Sequence, residues 1–175
     1  MKRIAAILLA FTCSLQATAQ SSKKISTYLL LQVGKTLYDR TITNNNSGPS
    51  LGLKAFYNNK TALKPFIEID GSIFGGTKEL HMTTTGKVIE SKDGVVCVFA
   101  GVTFLPVKNV YIEMAAGPAF FNGSSYLAIK PGAGVYFSKK HKLFAAVSLT
   151  NIFQRDDISN EQFGYLNFTL GIKLF

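Results

Sequence analysis

Residues 163–175, with the sequence FGYLNFTLGIKLF, alternate between two kinds of side chain. One face of an extended strand would carry Leu166, Phe168, Leu170, Ile172 and Leu174, and the other would carry Tyr165, Asn167, Thr169, Gly171 and Lys173. Successive side chains of a β-strand point to opposite faces. The segment therefore predicts a strand that separates an apolar environment from a crowded or polar one.

The same alternation recurs along the chain, and no helical periodicity competes with it. It predicts further strands at residues 25–37, 49–57, 63–74, 95–105, 110–120, 126–137 and 142–153. Most of these segments have the roughly 9–11 residues that a tilted strand needs to cross a bilayer. The sequence thus predicts an all-β protein, a closed antiparallel transmembrane β-barrel of about eight strands in an up-and-down meander.

The connections between these strands alternate in length. The long ones are residues 39–48, 75–94 and 154–162, and the short ones are residues 58–62, 106–109 and 138–141. Outer-membrane barrels have short periplasmic turns and longer extracellular loops. We therefore expect both ends of the barrel domain on the periplasmic side, with residues 121–125 as a short exception among the outer loops.

The N-terminal segment has the features of a secretory signal peptide. Lys2 and Arg3 precede an apolar stretch at residues 4–15, and Ala17 and Ala19 follow it. The stretch is shorter than the roughly 20 residues that a membrane-spanning helix needs. We expect residues 1–19 to be a removed signal peptide and residues 20–175 to form one outer-membrane β-barrel domain. Only Cys97 would then remain, which excludes an internal disulfide framework.

The chain is basic, and this charge suggests an anionic surface as a partner. Removing Lys2 and Arg3 from a net charge of +9 leaves +7. Export argues against nucleic acid, so outer-membrane lipids are the expected contact. The basic residues of the short turns, Lys60, Lys108, Lys139, Lys140, His141 and Lys142, predict a rim that contacts anionic headgroups.

The two predicted faces differ in charge. Along the apolar face, from Leu29 to Val33 of the first segment and through the later segments, no charge occurs, as expected on the lipid side, where Lys or Arg at the midplane costs about 2–4 kcal/mol. The opposite face is rich in small residues and carries Lys54, Lys64, Glu68, Asp70, Glu113, Lys130 and Lys173. An eight-stranded barrel has an interior just wide enough for side chains. We therefore predict a lumen charge cluster of these residues, paired within a filled lumen.

A soluble, lipocalin-like barrel that binds a lipophile is the competing arrangement, with the apolar residues facing an inner cavity. The abundance of Gly and Ala on the other face disfavours it, because a solvated face normally carries more charge. Tyr57, Phe104, Phe137 and Phe153 lie near predicted strand ends, where membrane barrels carry aromatic girdles.

The closing segment GYLNFTLGIKLF, residues 164–175, resembles the last strand of the small outer-membrane β-barrel family of Gram-negative bacteria, particularly the Bacteroidetes-type outer membrane protein beta-barrel domain. The resemblance covers residues 20–175. It implies a location in the cell outer membrane and recognition of the terminal aromatic residue by the barrel-assembly machinery. In that family this residue shares the lipid-facing side, whereas here Leu174 does so and Phe175 is one step out of phase. A bulge at the final pair would restore the pattern.

No set of residues predicts a catalytic, cofactor or metal site. His81 lies among scattered charges in the longest connection, which we interpret as a solvated loop. Some eight-stranded outer-membrane barrels are lipid-modifying enzymes, but Ser72 and Ser148 have no histidine at a fixed spacing. Cys97 is expected to face inward beside Phe99 as a small apolar filler.

We therefore expect a non-enzymatic protein without a cofactor. Its role would be structural or one of surface interaction, with an unknown extracellular partner. A narrow porin-like channel or a small-ligand carrier that uses the lumen charges remains the alternative.

Overall fold

The computed structural model describes residues 24–38, 47–74, 81–82, 88–89, 93–121, 124–137, 141–153 and 162–174. Within these ranges the strands are β1 (Ile25–Tyr38), β2 (Gly48–Tyr57), β3 (Leu63–Phe74), β4 (His81–Met82), β5 (Val88–Ile89), β6 (Asp93–Val107), β7 (Val110–Phe121), β8 (Ser124–Tyr136), β9 (Leu143–Phe153) and β10 (Gln162–Lys173). None of the described residues belongs to a helix long and apolar enough to cross a membrane.

Eight strands form a closed antiparallel barrel in the order β1, β2, β3, β6, β7, β8, β9, β10. The closing segment β10 pairs with β9 on one side and with β1 on the other, where Tyr28 lies opposite Lys173 and Gly34 opposite Asn167. Each of the eight predicted strands is present, with ends that differ by at most two residues. The predicted fold, a meander of eight antiparallel strands closed into a barrel, is confirmed.

Two connections differ from the prediction. Pairing between β7 and β8 continues to Phe121 and Ser124, so the expected connection at residues 121–125 shrinks to residues 122–123. The connection at residues 75–94 is not entirely a loop, because His81 pairs with Ile89 and Met82 with Val88 in a two-stranded sheet. Strands this short leave no run of alternation for a sequence pattern to show.

The two faces of the barrel have the predicted orientation. The apolar face points outward, and Ile67, Met114 and Phe168 keep 63%, 54% and 53% of their surface exposed. Inward side chains such as Gln32 and Asn167 are buried. The lipocalin-like arrangement is therefore wrong for this chain, because it requires the apolar face inside. So continuous an exposed apolar surface is stable only in an apolar surrounding.

The small residues of the inner face make room for aromatic rings. A Cβ atom added at Gly171 would overlap the ring of Phe144. Gly34 similarly lies against Asn167, whose Oδ1 atom would be 2.9 Å from an added Cβ. Gly71 faces outward, and an added Cβ there would meet no atom within 4 Å. The inner glycines are thus required by packing, whereas Gly71 is not.

We expect Gly171→Ala to destabilise the barrel by about 1–3 kcal/mol, the usual cost of overpacking. Gly71→Ala is the matched control, and it should be neutral or slightly stabilising because it restricts the unfolded chain. Denaturant unfolding in lipid vesicles measures both variants, with the folded fraction followed by gel mobility without boiling. Equal destabilisation by the two substitutions would contradict this account of inner-face packing.

Candidate functional site

Five of the seven predicted lumen residues come together on four strands. Lys54 (β2) has its Nζ atom 2.7 Å from Oε2 of Glu113 (β7) and 3.0 Å from Oε2 of Glu68 (β3). Lys130 (β8) has its Nζ atom 2.5 Å from Oε1 of Glu68 and 2.9 Å from Oδ2 of Asp70 (β3). All five residues are at most 8% exposed. We refer to these five residues as the paired cluster.

The order of charges in the paired cluster alternates in sign: Glu113, Lys54, Glu68, Lys130, Asp70. Glu68 lies directly opposite Lys54 on the neighbouring strand. Glu113, in contrast, contacts Lys54 from across the lumen. Burying a charge costs several kcal/mol unless opposite charges and hydrogen bonds compensate it. Here each ammonium group contacts two carboxylates, so every charge of the paired cluster has an opposite partner, with three acids to two lysines.

The lysines of the paired cluster also lie over aromatic rings. The Nζ atom of Lys54 is 3.9 Å from the centroid of the Phe66 ring, and that of Lys130 is 5.3 Å from the Phe99 centroid. A cation held over an aromatic face is attracted by the ring quadrupole. The rings thus add a favourable contact to each ammonium group beside its ion pairs.

Buried aromatic residues lie on both sides of the paired cluster along the barrel axis. Toward the long connections, Phe74 packs on Phe163 and Tyr165 with ring centroids 5.6 and 5.0 Å apart. We call these three residues the outer aromatic layer. Toward the short turns lies the inner aromatic layer, which consists of Tyr28, Phe56, Phe66, Tyr111, Tyr136 and Phe144. On β3, Glu68 and Asp70 stand between Phe66 and Phe74, and so between the two layers.

The structure does not bring Lys64 and Lys173 to the paired cluster. Both line a cavity of about 90 Å³ at the end of the barrel with the short turns, together with Ser26, Tyr28, Phe56, Asn58, Tyr136 and His141. We call this cavity the inner cavity. All seven residues share the inward face, but a strand's face does not determine the height of a residue along the barrel axis.

His141 was predicted to contact lipid headgroups, but its ring lies against the inner cavity. The imidazole stacks on Tyr136 with centroids 4.1 Å apart, and the Tyr28 hydroxyl donates a hydrogen bond to the His141 carbonyl at 2.7 Å. Burial lowers the pKa of His141, and the positive charges of Lys64, Lys173 and Lys108 lower it further. A hydrogen bond with the Lys108 backbone acts in the opposite direction. Lys139 and Lys140 of the predicted rim lie outside the described residues.

Two further candidates, Cys97 and Ser72, contact other inward side chains. Cys97 is buried and faces inward as predicted, with its Sγ atom 3.7 Å from the Tyr165 hydroxyl oxygen. Ser72 accepts a hydrogen bond from Ser50 at 2.7 Å. The side chain of His81 is outside the described residues. In the part of the chain that the structure describes, no three His, Cys, Asp or Glu residues group together as a metal site.

Known structures share this fold at low sequence identity. No family model matches the chain, and no curated protein matches it in sequence. The crystal structure of Ail, the attachment invasion locus protein of Yersinia pestis, has a TM-score of 0.59 and 13% identity, and the match covers 87% of this chain and 100% of Ail. Neisserial surface protein A has a TM-score of 0.53 and 12% identity, with 86% and 97% covered. A designed transmembrane β-barrel has a TM-score of 0.51 and 13% identity, with 85% and 95% covered.

These matches show that the chain has the fold of small outer-membrane barrels. The exposed apolar face is a separate observation from the chain itself, and it requires lipid rather than water around the barrel. Together they indicate a barrel whose outer surface contacts lipid, as the sequence predicted.

We expect Lys130→Met to destabilise the barrel by about 3–5 kcal/mol, because it leaves buried carboxylates without their counterion. Adding Asp70→Asn should recover part of the loss, since Glu68 still contacts Lys54. Lys60→Met is the control, since Lys60 is exposed in the short turn after β2 and such surface changes usually stay within about 0.5 kcal/mol. Denaturant unfolding in vesicles measures each variant. A Lys130→Met protein as stable as Lys60→Met would refute the compensation described above.

A second expectation concerns pH. Because the pKa of His141 is lowered by folding, the unfolded chain binds more protons in the range below about 6.5. Stability should therefore be unaffected by this group above that pH and fall as the pH decreases through it. His141→Asn should flatten the dependence, since Asn tolerates the left-handed backbone (φ 50°) at this position. Unfolding midpoints between about pH 5 and 8 test this, and an unchanged slope in the variant would contradict it.

Proposed function

We propose that this protein is an integral outer-membrane barrel with a filled lumen, and that its role is structural or one of interaction at the cell surface. The observation that carries the proposal is the paired cluster enclosed between the outer and inner aromatic layers. Side chains in this region come from both sides of the barrel and contact one another.

A steady ion path through such a lumen is disfavoured on energetic grounds. A permeating ion would have to separate Lys54 or Lys130 from its carboxylates in a low-dielectric interior, where an unpaired charge is costly. It would also have to pass Phe74 and Phe144, which are almost completely buried. Eight strands leave an interior that side chains can fill. The narrow channel and the ligand carrier are therefore the weaker alternatives.

The connections at the outer end are the part of the chain suited to a partner. They include residues 39–47, 75–92 and 154–161, which are longer than the turns at the other end, and the β4–β5 pair belongs to one of them. The fold neighbours support a surface role. Ail of Yersinia pestis has been crystallised with the heparin analogue sucrose octasulfate, and Neisserial surface protein A is named as a surface protein. An extracellular partner and a non-enzymatic role are part of this proposal.

The domain limits and biogenesis belong to the same proposal. Residues 1–19 would be the signal peptide and residues 20–175 the barrel domain of the Bacteroidetes-type family. The barrel-assembly machinery would recognise the β10 segment. Residues 1–23 and Phe175, on which the cleavage site and the terminal signal depend, lie outside the described residues.

Planar-bilayer recording tests the filled lumen. The wild-type protein should insert without a steady conductance, because the paired cluster and the aromatic layers occupy the lumen. Insertion is verified independently by the gel mobility of the recovered, unboiled protein. A steady conductance that Glu68→Ala or Lys130→Ala abolishes, and that the exposed control Lys35→Ala preserves, would instead establish the narrow channel.

A further inference from the structure

The inner cavity combines several hydrogen-bond donors from different parts of the barrel. Lys64 comes from β3, Lys173 from β10, His141 from the connection after β8, and Asn58 from the connection after β2. The Tyr28 hydroxyl is engaged with the His141 carbonyl, so the ring of Tyr28 forms a wall rather than offering a donor. Lys64 and Lys173 are thus the two ammonium groups of the cavity, and Ser26, Asn58, Tyr136 and His141 supply its other polar side chains.

The lysines of this cavity differ from those of the paired cluster. Lys54 and Lys130 each contact two carboxylates. Across the residues that the structure describes, no carboxylate lies within ion-pair distance of Lys64 or Lys173. Both are only partly exposed, and they share a small space with His141. Like charges confined in this way repel each other unless an anion joins them.

The size and donors of the inner cavity define the kind of anion. A volume of about 90 Å³ is several times what a single water requires, but it is small for a sugar or a nucleotide. Lysine ammonium groups are donors without acceptors. Asn58 donates one amide hydrogen to Ser26 at 2.7 Å and retains a second. A compact anion with several acceptor oxygens matches these groups.

We propose that the inner cavity binds a phosphate group at the periplasmic end of the barrel, with Lys64 and Lys173 as its principal ligands. Charge-assisted hydrogen bonds from ammonium groups to phosphate oxygens are stronger than neutral ones. Asn58 and His141 complete the site. The phosphate is either free inorganic phosphate or the headgroup of a membrane lipid, since the chemistry of the contacts is the same.

Amide NMR of the full-length barrel, folded in phosphate-free maltoside micelles, tests the site. Titration with inorganic phosphate should shift the amides of Asn58, Lys64, His141 and Lys173 in a saturable manner, and chloride at equal ionic strength should not. Lys64→Gln and Lys173→Gln should each raise the dissociation constant about tenfold or more, as loss of one charged hydrogen bond does. Lys60→Gln removes the same charge from an exposed turn at the same end and should leave binding unchanged.

A second titration, with phosphatidylglycerol added to the micelles in place of phosphate, distinguishes the two sources. Saturable shifts with phosphate alone identify the free ion, and shifts that require the lipid identify a headgroup. The proposal is overturned if neither ligand shifts these amides, if chloride produces the same shifts, or if Lys60→Gln weakens binding as much as Lys64→Gln. Unboiled gel mobility verifies that each variant is folded before it is titrated.

Discussion

The closure of the barrel is the constraint on which the rest of this structure depends. Within a bilayer, backbone amides and carbonyls find no water, so a sheet must pair every edge with another strand. The pairing of β10 with β1 provides that closure. With only eight strands the enclosed space is narrow, so the inward face is built largely from small residues and from side chains that contact one another. The glycines of the inner face and the paired cluster are two responses to this one geometric limit.

Charges inside such a barrel are tolerated because they compensate one another. Glu68 contacts both Lys54 and Lys130 and thereby connects the two halves of the paired cluster. A network of this kind does not by itself add stability over an apolar core of the same shape. Its geometric consequence is clearer, since it joins β2, β3, β7 and β8 across the lumen. The function proposed above therefore assigns partner contacts to the outer connections.

The sequence predicted the strands and their faces well because both follow from a period of two residues. The Leu166-to-Leu174 face of β10 could be assigned to the apolar side by inspection, and the structure agrees. Height along the axis could not be predicted in this way, since it depends on the stagger between strands. For that reason the alternation predicts one cluster that contains Lys64, Lys173 and Lys130, whereas in the structure Lys64 and Lys173 line the inner cavity. The pairing of carboxylates with lysines also depends on how far each side chain extends across the lumen, which the alternation does not show. The β4–β5 pair was not predicted because its strands are too short to show an alternating pattern.

The central claim is that the apolar face contacts lipid and that the other face encloses a filled lumen. Contacts between isoleucine methyl groups and lipid test this claim most directly. In nanodiscs, nuclear Overhauser effects to lipid acyl protons should occur for Ile67, Ile69 and Ile112, which point outward. The buried Ile152 should show none. Acyl contacts at Ile152, or water contacts along Ile67 and Ile69 in place of lipid, would contradict the account.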